Sequence, residues 1–160
     1  MIKAIFGSSK LDNAMENGTN AAELSLLDRF AGNWDTTGTL ITKSGTVNIA
    51  GTDRYAWLPG GHFLMHTVDV MMGEDRKQSV EIIGFDTLSG TYPMHFYDDA
   101  GESGVMHGGF DEDNWLITSS ELRFKGAFSD NNNTLTGSWE QYSEGSWRKL
   151  MDIRLIRATH

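Results

Sequence analysis

The sequence predicts an all-β fold: an antiparallel up-and-down barrel of about ten strands with one short helix near the N-terminus. Three observations carry that expectation. Turn signals recur roughly every dozen residues from Asn33 to Ala158, a spacing that suits short strands in a meander. The stretches between them alternate apolar with polar, the period of a strand with one buried face. Three hairpins can each be closed so that apolar residues stand opposite one another.

Residues 1–20 are small and polar, with Gly7 and Gly18, and read as a mobile segment ahead of a single domain over residues 21–160. Leu24, Leu27 and Phe30 then recur at helical spacing, so Ala21–Ala31 is expected as an amphipathic helix, with Asn20 as N-cap and Gly32 as its stop. A helix in that place would plug one end of the barrel. Strands are expected near Asn33–Thr42, Thr46–Leu58, His62–Met72, Gln78–Asp86 and Tyr92–Asp98. The second half continues with Gly104–Phe110, Trp115–Glu121, Arg123–Ser129, Thr134–Tyr142 and Trp147–Arg157. Only the break at Ser119-Ser120-Glu121 lacks glycine, proline, asparagine or aspartate.

A loop of two or four residues around Pro59-Gly60 sets Trp57 opposite His62, Tyr55 opposite Leu64 and Asp53 opposite His66. The face so formed reads Ile49, Tyr55, Trp57, Leu64, Val68 and Val70, with an aspartate and a histidine among them. A three-residue loop would instead bring His66 beside Arg54. In the next tested hairpin, a three-residue loop centred on Gly101 opposes Phe96 with Met106, Met94 with Gly108 and His95 with His107. A turn at Gly145 opposes Trp139 with Met151 and Gly137 with Ile153. Together these faces give a lumen lined by aromatic side chains and methionine.

The segments Phe30-Ala31-Gly32-Asn33-Trp34, Leu58-Pro59-Gly60-Gly61-His62-Phe63 and Gly84-Phe85-Asp86-Thr87-Leu88-Ser89-Gly90-Thr91-Tyr92 resemble a bacterial family with a lipocalin-like barrel, domain of unknown function 1579. The resemblance spans roughly Leu24 to Ala158. It implies a calycin-like barrel with an internal cavity and carries over no catalytic residue. In calycins the tryptophan of the Gly-x-Trp motif closes the barrel floor beneath an arginine of the last strand. That implies Trp34 with Arg157, with Arg154 as the alternative. A more distant calycin-like group, the nitrobindins, binds haem through a histidine near the chain's end. Here the last strand has none and only His160 lies nearby, so no haem and no other cofactor is expected.

Composition narrows the function classes. The chain has 160 residues, enough for one self-supporting core, and no cysteine, which removes disulfides, thiolate metal sites and cysteine nucleophiles. A net charge of -9 argues against nucleic acid or an anionic membrane as partner. Met1 to Phe6 is too short for a signal sequence, so a cytoplasmic monomer or homodimer is expected. No Gly-x-Ser-x-Gly elbow is present to support serine hydrolysis. His62 and His66 on one strand stand about 13 Å apart at ~3.3 Å per residue, too far to share a metal. His95 and His107 lack a third ligand, and the acidic turns lack the spacing of a calcium loop, so no metal site is expected.

Asp53 facing His66 is the sharpest constellation, because a carboxylate fixes an imidazole's tautomer and raises its basicity. The same pair can equally be a buried polar contact that satisfies itself. Three functions follow. The first is binding of a small apolar or amphipathic molecule by Tyr55, Trp57, Leu64, His66, Met94, Phe96, Trp139 and Met151. The second is an isomerase or hydrolase of a hydrophobic metabolite, with His66 as catalytic base and Asp53 orienting it. The third is a structural or self-associating protein whose barrel is filled by its own side chains.

Overall fold

The computed structural model describes residues 20–159. Ten antiparallel strands close into one barrel: β1 (Gly32–Thr42), β2 (Gly45–Trp57), β3 (Leu64–Met72), β4 (Asp75–Ile83), β5 (Tyr92–Asp98), β6 (Ser103–Asp111), β7 (Asn114–Thr118), β8 (Leu122–Ser129), β9 (Thr134–Ser143) and β10 (Ser146–Arg157). Each pairs with its sequence neighbours, and β10 returns to β1 with Trp34 opposite Arg157. Closure leaves no free sheet edge. Among the described residues no helix is long and apolar enough to cross a membrane.

Residues 20–26 are helical and run into a 3-10 turn at Leu27–Arg29. Asn20, expected as the cap, is itself helical, and the rest of the expected mobile segment lies outside the described residues. The helical span also stops short of Ala31, because side chains from the barrel take the carbonyls at its end. The Trp34 indole donates to the Phe30 carbonyl at 2.7 Å, and the Arg157 guanidinium donates to the carbonyls of Arg29 at 2.8 Å and Ala31 at 2.6 Å. Leu24, Leu27 and Phe30 are buried against the barrel's closed end. There Phe30 stacks on Tyr55 at 4.9 Å and meets the edges of Trp115 and Phe128 at 5.1 and 5.0 Å. The Trp57 indole donates to Asp28, and the Tyr92 hydroxyl to the Glu23 carbonyl, tying the plug to β2 and β5.

Two hairpin registers differ from expectation by two residues, and both differences have a local cause. In β2–β3, Trp57 faces Leu64, Tyr55 faces His66, and Asp53 faces Val68. Leu58 to Gly61 forms a turn closed by the Gly61 amide on the Leu58 carbonyl, with Gly60 at φ 97°. Gly61, at φ 71°, and His62 then stay in the loop, so β3 begins at Leu64 and not at His62. In β5–β6, Met94 faces Met106 and Tyr92 faces Gly108. The loop centres on Ala100 instead of Gly101 because the Asp98 carboxylate accepts from the amides of Ala100 and Glu102. His107 therefore faces Pro93, His95 faces Val105, and the expected opposition of the two histidines is absent. A two-residue shift keeps every side chain on its face, so the inward set survives both corrections. The β9–β10 hairpin turns at Glu144 and Gly145, both with positive φ, and sets Trp139 opposite Met151 and Gly137 opposite Ile153.

Two element boundaries also move. β4 runs Asp75–Ile83, three residues earlier than expected, because Asp86 begins the next loop by accepting from the amides of Leu88 and Ser89. Gly84 lies beneath the Phe63 ring, where a Cβ would come within 2.8 Å of the ring. β7 ends at Thr118, and Ser119 makes the turn that composition did not signal. Its hydroxyl accepts from the Leu122 amide and bonds the Leu122 carbonyl, each at 3.0 Å.

The barrel is unequally filled. At the plugged end Trp34, Trp115, Leu64 and Ile83 are almost wholly buried. Trp115 fits there only because Gly108 leaves room for its ring. Toward the other end, where the hairpins at Ser44, Gly73, Ala100, Ser120 and Gly145 gather, the interior opens.

Candidate functional site

A line of polar side chains crosses the interior between the packed and open halves. Four consecutive strands supply it: Thr36 on β1, Asp53 on β2, His66 on β3 and Glu81 on β4, all buried. Register explains the line. His66 stands directly opposite Glu81, while Asp53 and Thr36 are reached by diagonal steps because Tyr55 pairs with His66 and Gly51 with Thr36. His66 Nε2 lies 2.6 Å from Asp53 Oδ1, and Nδ1 lies 2.6 Å from Glu81 Oε1. Thr36 donates its hydroxyl to Asp53 Oδ2. The Tyr55 ring stacks on the imidazole with centroids 3.9 Å apart and planes within 6°.

Burial alone would discharge His66, but two carboxylate hydrogen bonds and two negative charges outweigh it and push its pKa up to about 9. At neutral pH both ring nitrogens therefore carry protons and both donate. Burial, together with the charges of Asp53 and Glu81, holds the Tyr55 phenol well above its usual value. Two carboxylates around one imidazolium leave the trio with a net charge of minus one. The ring lies in the middle of the trio, so the three side chains share no common vertex. Among the described residues no group of histidine and carboxylate side chains is arranged to hold a metal ion.

Above this line lies a cavity of about 410 Å³ that opens at the unplugged end. Val68, Val70, Phe96, Met106, Met151 and Ile153 supply much of its apolar wall, and Lys77, Asp98 and Asp99 stand among the residues lining it. Below the line a void of only about 70 Å³ remains among the aromatic residues. Asp53, His66, Glu81, Trp139 and Ile153 border both spaces and form the partition between them.

The expected pocket residues divide accordingly. His66, Phe96, Trp139 and Met151 line the open cavity, and Tyr55 and Met94 border the small void. Leu64 is wholly buried in the packed half, and Trp57 lines an outer groove beside the helix, so neither is brought to the cavity. Trp34 lies 4.2 Å beneath the Arg157 guanidinium at the closed end, whereas Arg154 points outward opposite Thr37. Glu81 and Thr36 were missed. In Val80-Glu81-Ile82-Ile83 the period-two pattern is ambiguous, and it favours Val80 and Ile82 as the inward pair. Counting across the two-residue Gly73-Glu74 turn, from Met72 opposite Asp75, sets Glu81 opposite His66 and would have found it.

A closed meander with a plugged floor, an arginine over the floor tryptophan and an open interior defines a calycin-like barrel. Residues 19–157 match the family described as "Protein of unknown function (DUF1579)", and the chain belongs to it. Among solved structures, that of Rv2717c from M. tuberculosis is similar, with a TM-score of 0.63 at 14% identity, covering 84% of this chain and 96% of that one. At that identity the likeness is one of fold. No curated protein matches the chain in sequence.

Proposed function

We propose that the protein binds a small apolar or amphipathic molecule in the open half of its barrel. The observation that carries this reading is the cavity of about 410 Å³, within the range of small-molecule sites, with an apolar wall and a polar floor. A barrel serving only as a filled scaffold would pack both halves alike. Here most of the aromatic residues gather in one half, and the wall of the other includes Met72, Met106 and Met151, side chains that adapt to varied shapes.

The enzyme reading is weaker on chemical grounds. A general base needs a free lone pair, and both His66 nitrogens are committed as donors until the pH passes about 9. The trio is better suited to orienting a polar head than to moving a proton.

Binding is tested with native mass spectrometry of the purified protein and with titration of the neutral dye Nile red. A co-purifying molecule, or saturable dye binding lost in the cavity-filling variant Met106→Trp, is expected. A protein that carries nothing and takes up dye equally in both forms would refute the reading.

A further inference from the structure

The floor of the cavity has an uneven supply of hydrogen-bonding atoms. Both His66 N–H groups are spent on Asp53 and Glu81, and the Thr36 hydroxyl is spent on Asp53. Both Asp53 oxygens are occupied, one by His66 and one by Thr36. Glu81 differs. It is 7% exposed and lines the cavity, and its Oε2 accepts no hydrogen bond among the described residues. The floor therefore presents a charged open acceptor, on a trio of net charge minus one, and its free donors among the described residues, the Trp139 indole and the Ser79 hydroxyl, are neutral. Glu81 Oε2 is not among the buried atoms left without a partner, so it stays accessible, and a donor carried by a ligand can reach it.

We infer that the cavity takes amphiphiles whose head group is a protonated amine, seated head-inward against Glu81, and that it disfavours carboxylates. This rests on the binding reading above and specifies the ligand class. An ammonium supplies three donors and the opposite charge, which gives the strong form of hydrogen bond. A hydroxyl supplies one neutral donor and ranks second. A carboxylate supplies no donor and adds a second uncompensated negative charge beside Glu81. The opposite orientation, tail inward with a carboxylate head at Lys77, would press methyl groups onto the unpartnered oxygen. Lys77 is moreover accompanied at the mouth by Asp98 and Asp99, which weaken its pull on an anion.

Isothermal titration with octylamine, octanol and octanoate at neutral pH tests the order. Octylamine is expected to bind at least about tenfold more tightly than octanoate, with octanol between them. In Glu81→Gln the side-chain oxygen can still accept from His66 while the amide turns a donor toward the cavity. The amine preference should then collapse and the carboxylate should gain. Should that variant fail to fold, the ranking on the wild-type protein decides alone. Octanoate binding as tightly as octylamine, or an unchanged ranking in folded Glu81→Gln, overturns the head-group assignment while Nile red uptake keeps the binding reading. Nile red uptake with no binding of any of the three overturns the amphiphile assignment. Loss of all binding, dye included, removes the binding reading itself.

Discussion

Asp53→Asn tests whether His66 is held as an imidazolium between two carboxylates. The pKa of His66 rises from 6.5 to about 9, so the charged ring stabilises the fold below its unfolded pKa, and that contribution is lost as pH rises through 9. Its size is about 3 kcal/mol, at ~1.4 kcal/mol for each tenfold change in proton affinity. In Asp53→Asn one flanking charge is gone. If the Thr36 hydroxyl keeps its bond to the amide oxygen, the new NH₂ faces Nε2, donor against donor. His66 escapes that conflict by losing its Nε2 proton and keeping Nδ1–H on Glu81. Its titration midpoint, followed by NMR of the imidazole carbons, should fall by about one unit or more. Urea unfolding at about pH 6 and about pH 9.5 supplies the second readout, since wild type should lose about 3 kcal/mol across that interval through this ring. The variant should lose less by about 1 kcal/mol or more. A His66→Gln control subtracts what other groups contribute. An unmoved midpoint together with an unchanged pH difference would show that the two carboxylates do not set the charge of His66.

Three further outcomes follow from the packing. Thr36→Val leaves Asp53 Oδ2 buried without its donor and should cost about 1–3 kcal/mol in urea unfolding, while Thr36→Ser retains most of it. Arg157→Lys keeps the charge but cannot reach Ala31, Arg29 and Asn132 together or lie flat over Trp34, so thermal unfolding and the near-ultraviolet signal of Trp34 should both shift, with a loss of about 1–3 kcal/mol. Gly108→Ala puts a Cβ 2.3 Å from the Trp115 ring and should cost about 1–3 kcal/mol, whereas Gly109→Ala, with nothing within 4 Å, should stay within about 0.5 kcal/mol in the same denaturation assay.

Much of this architecture is written locally. Alternation and turn residues specify ten strands because each depends on a few adjacent side chains, and Glu144-Gly145 fixes its hairpin register through two left-handed residues. Parity is equally local: an error of two residues in a register leaves the faces intact, so Asp53 and His66 could be set on one inward face although they are diagonal neighbours. Loop length is less legible, because Gly61 and His62 give no sign in the sequence that they stay outside the ladder, and the Asp98 carboxylate sets its own turn.

The meander, the helical plug and most of the inward face are properties of nearest neighbours along the chain and are legible there; the inward face of β4 is not. That Glu81 joins His66 follows from strand pairing, because the contact depends on the register across the Gly73-Glu74 turn and the alternation within β4 alone does not carry it. Closure decided the rest. When β10 returns to β1, the large rings gather around Phe30 at the plugged end and leave the other half open above a charged floor. Whether an interior is filled depends on the summed volume of side chains from all ten strands within one closed circumference.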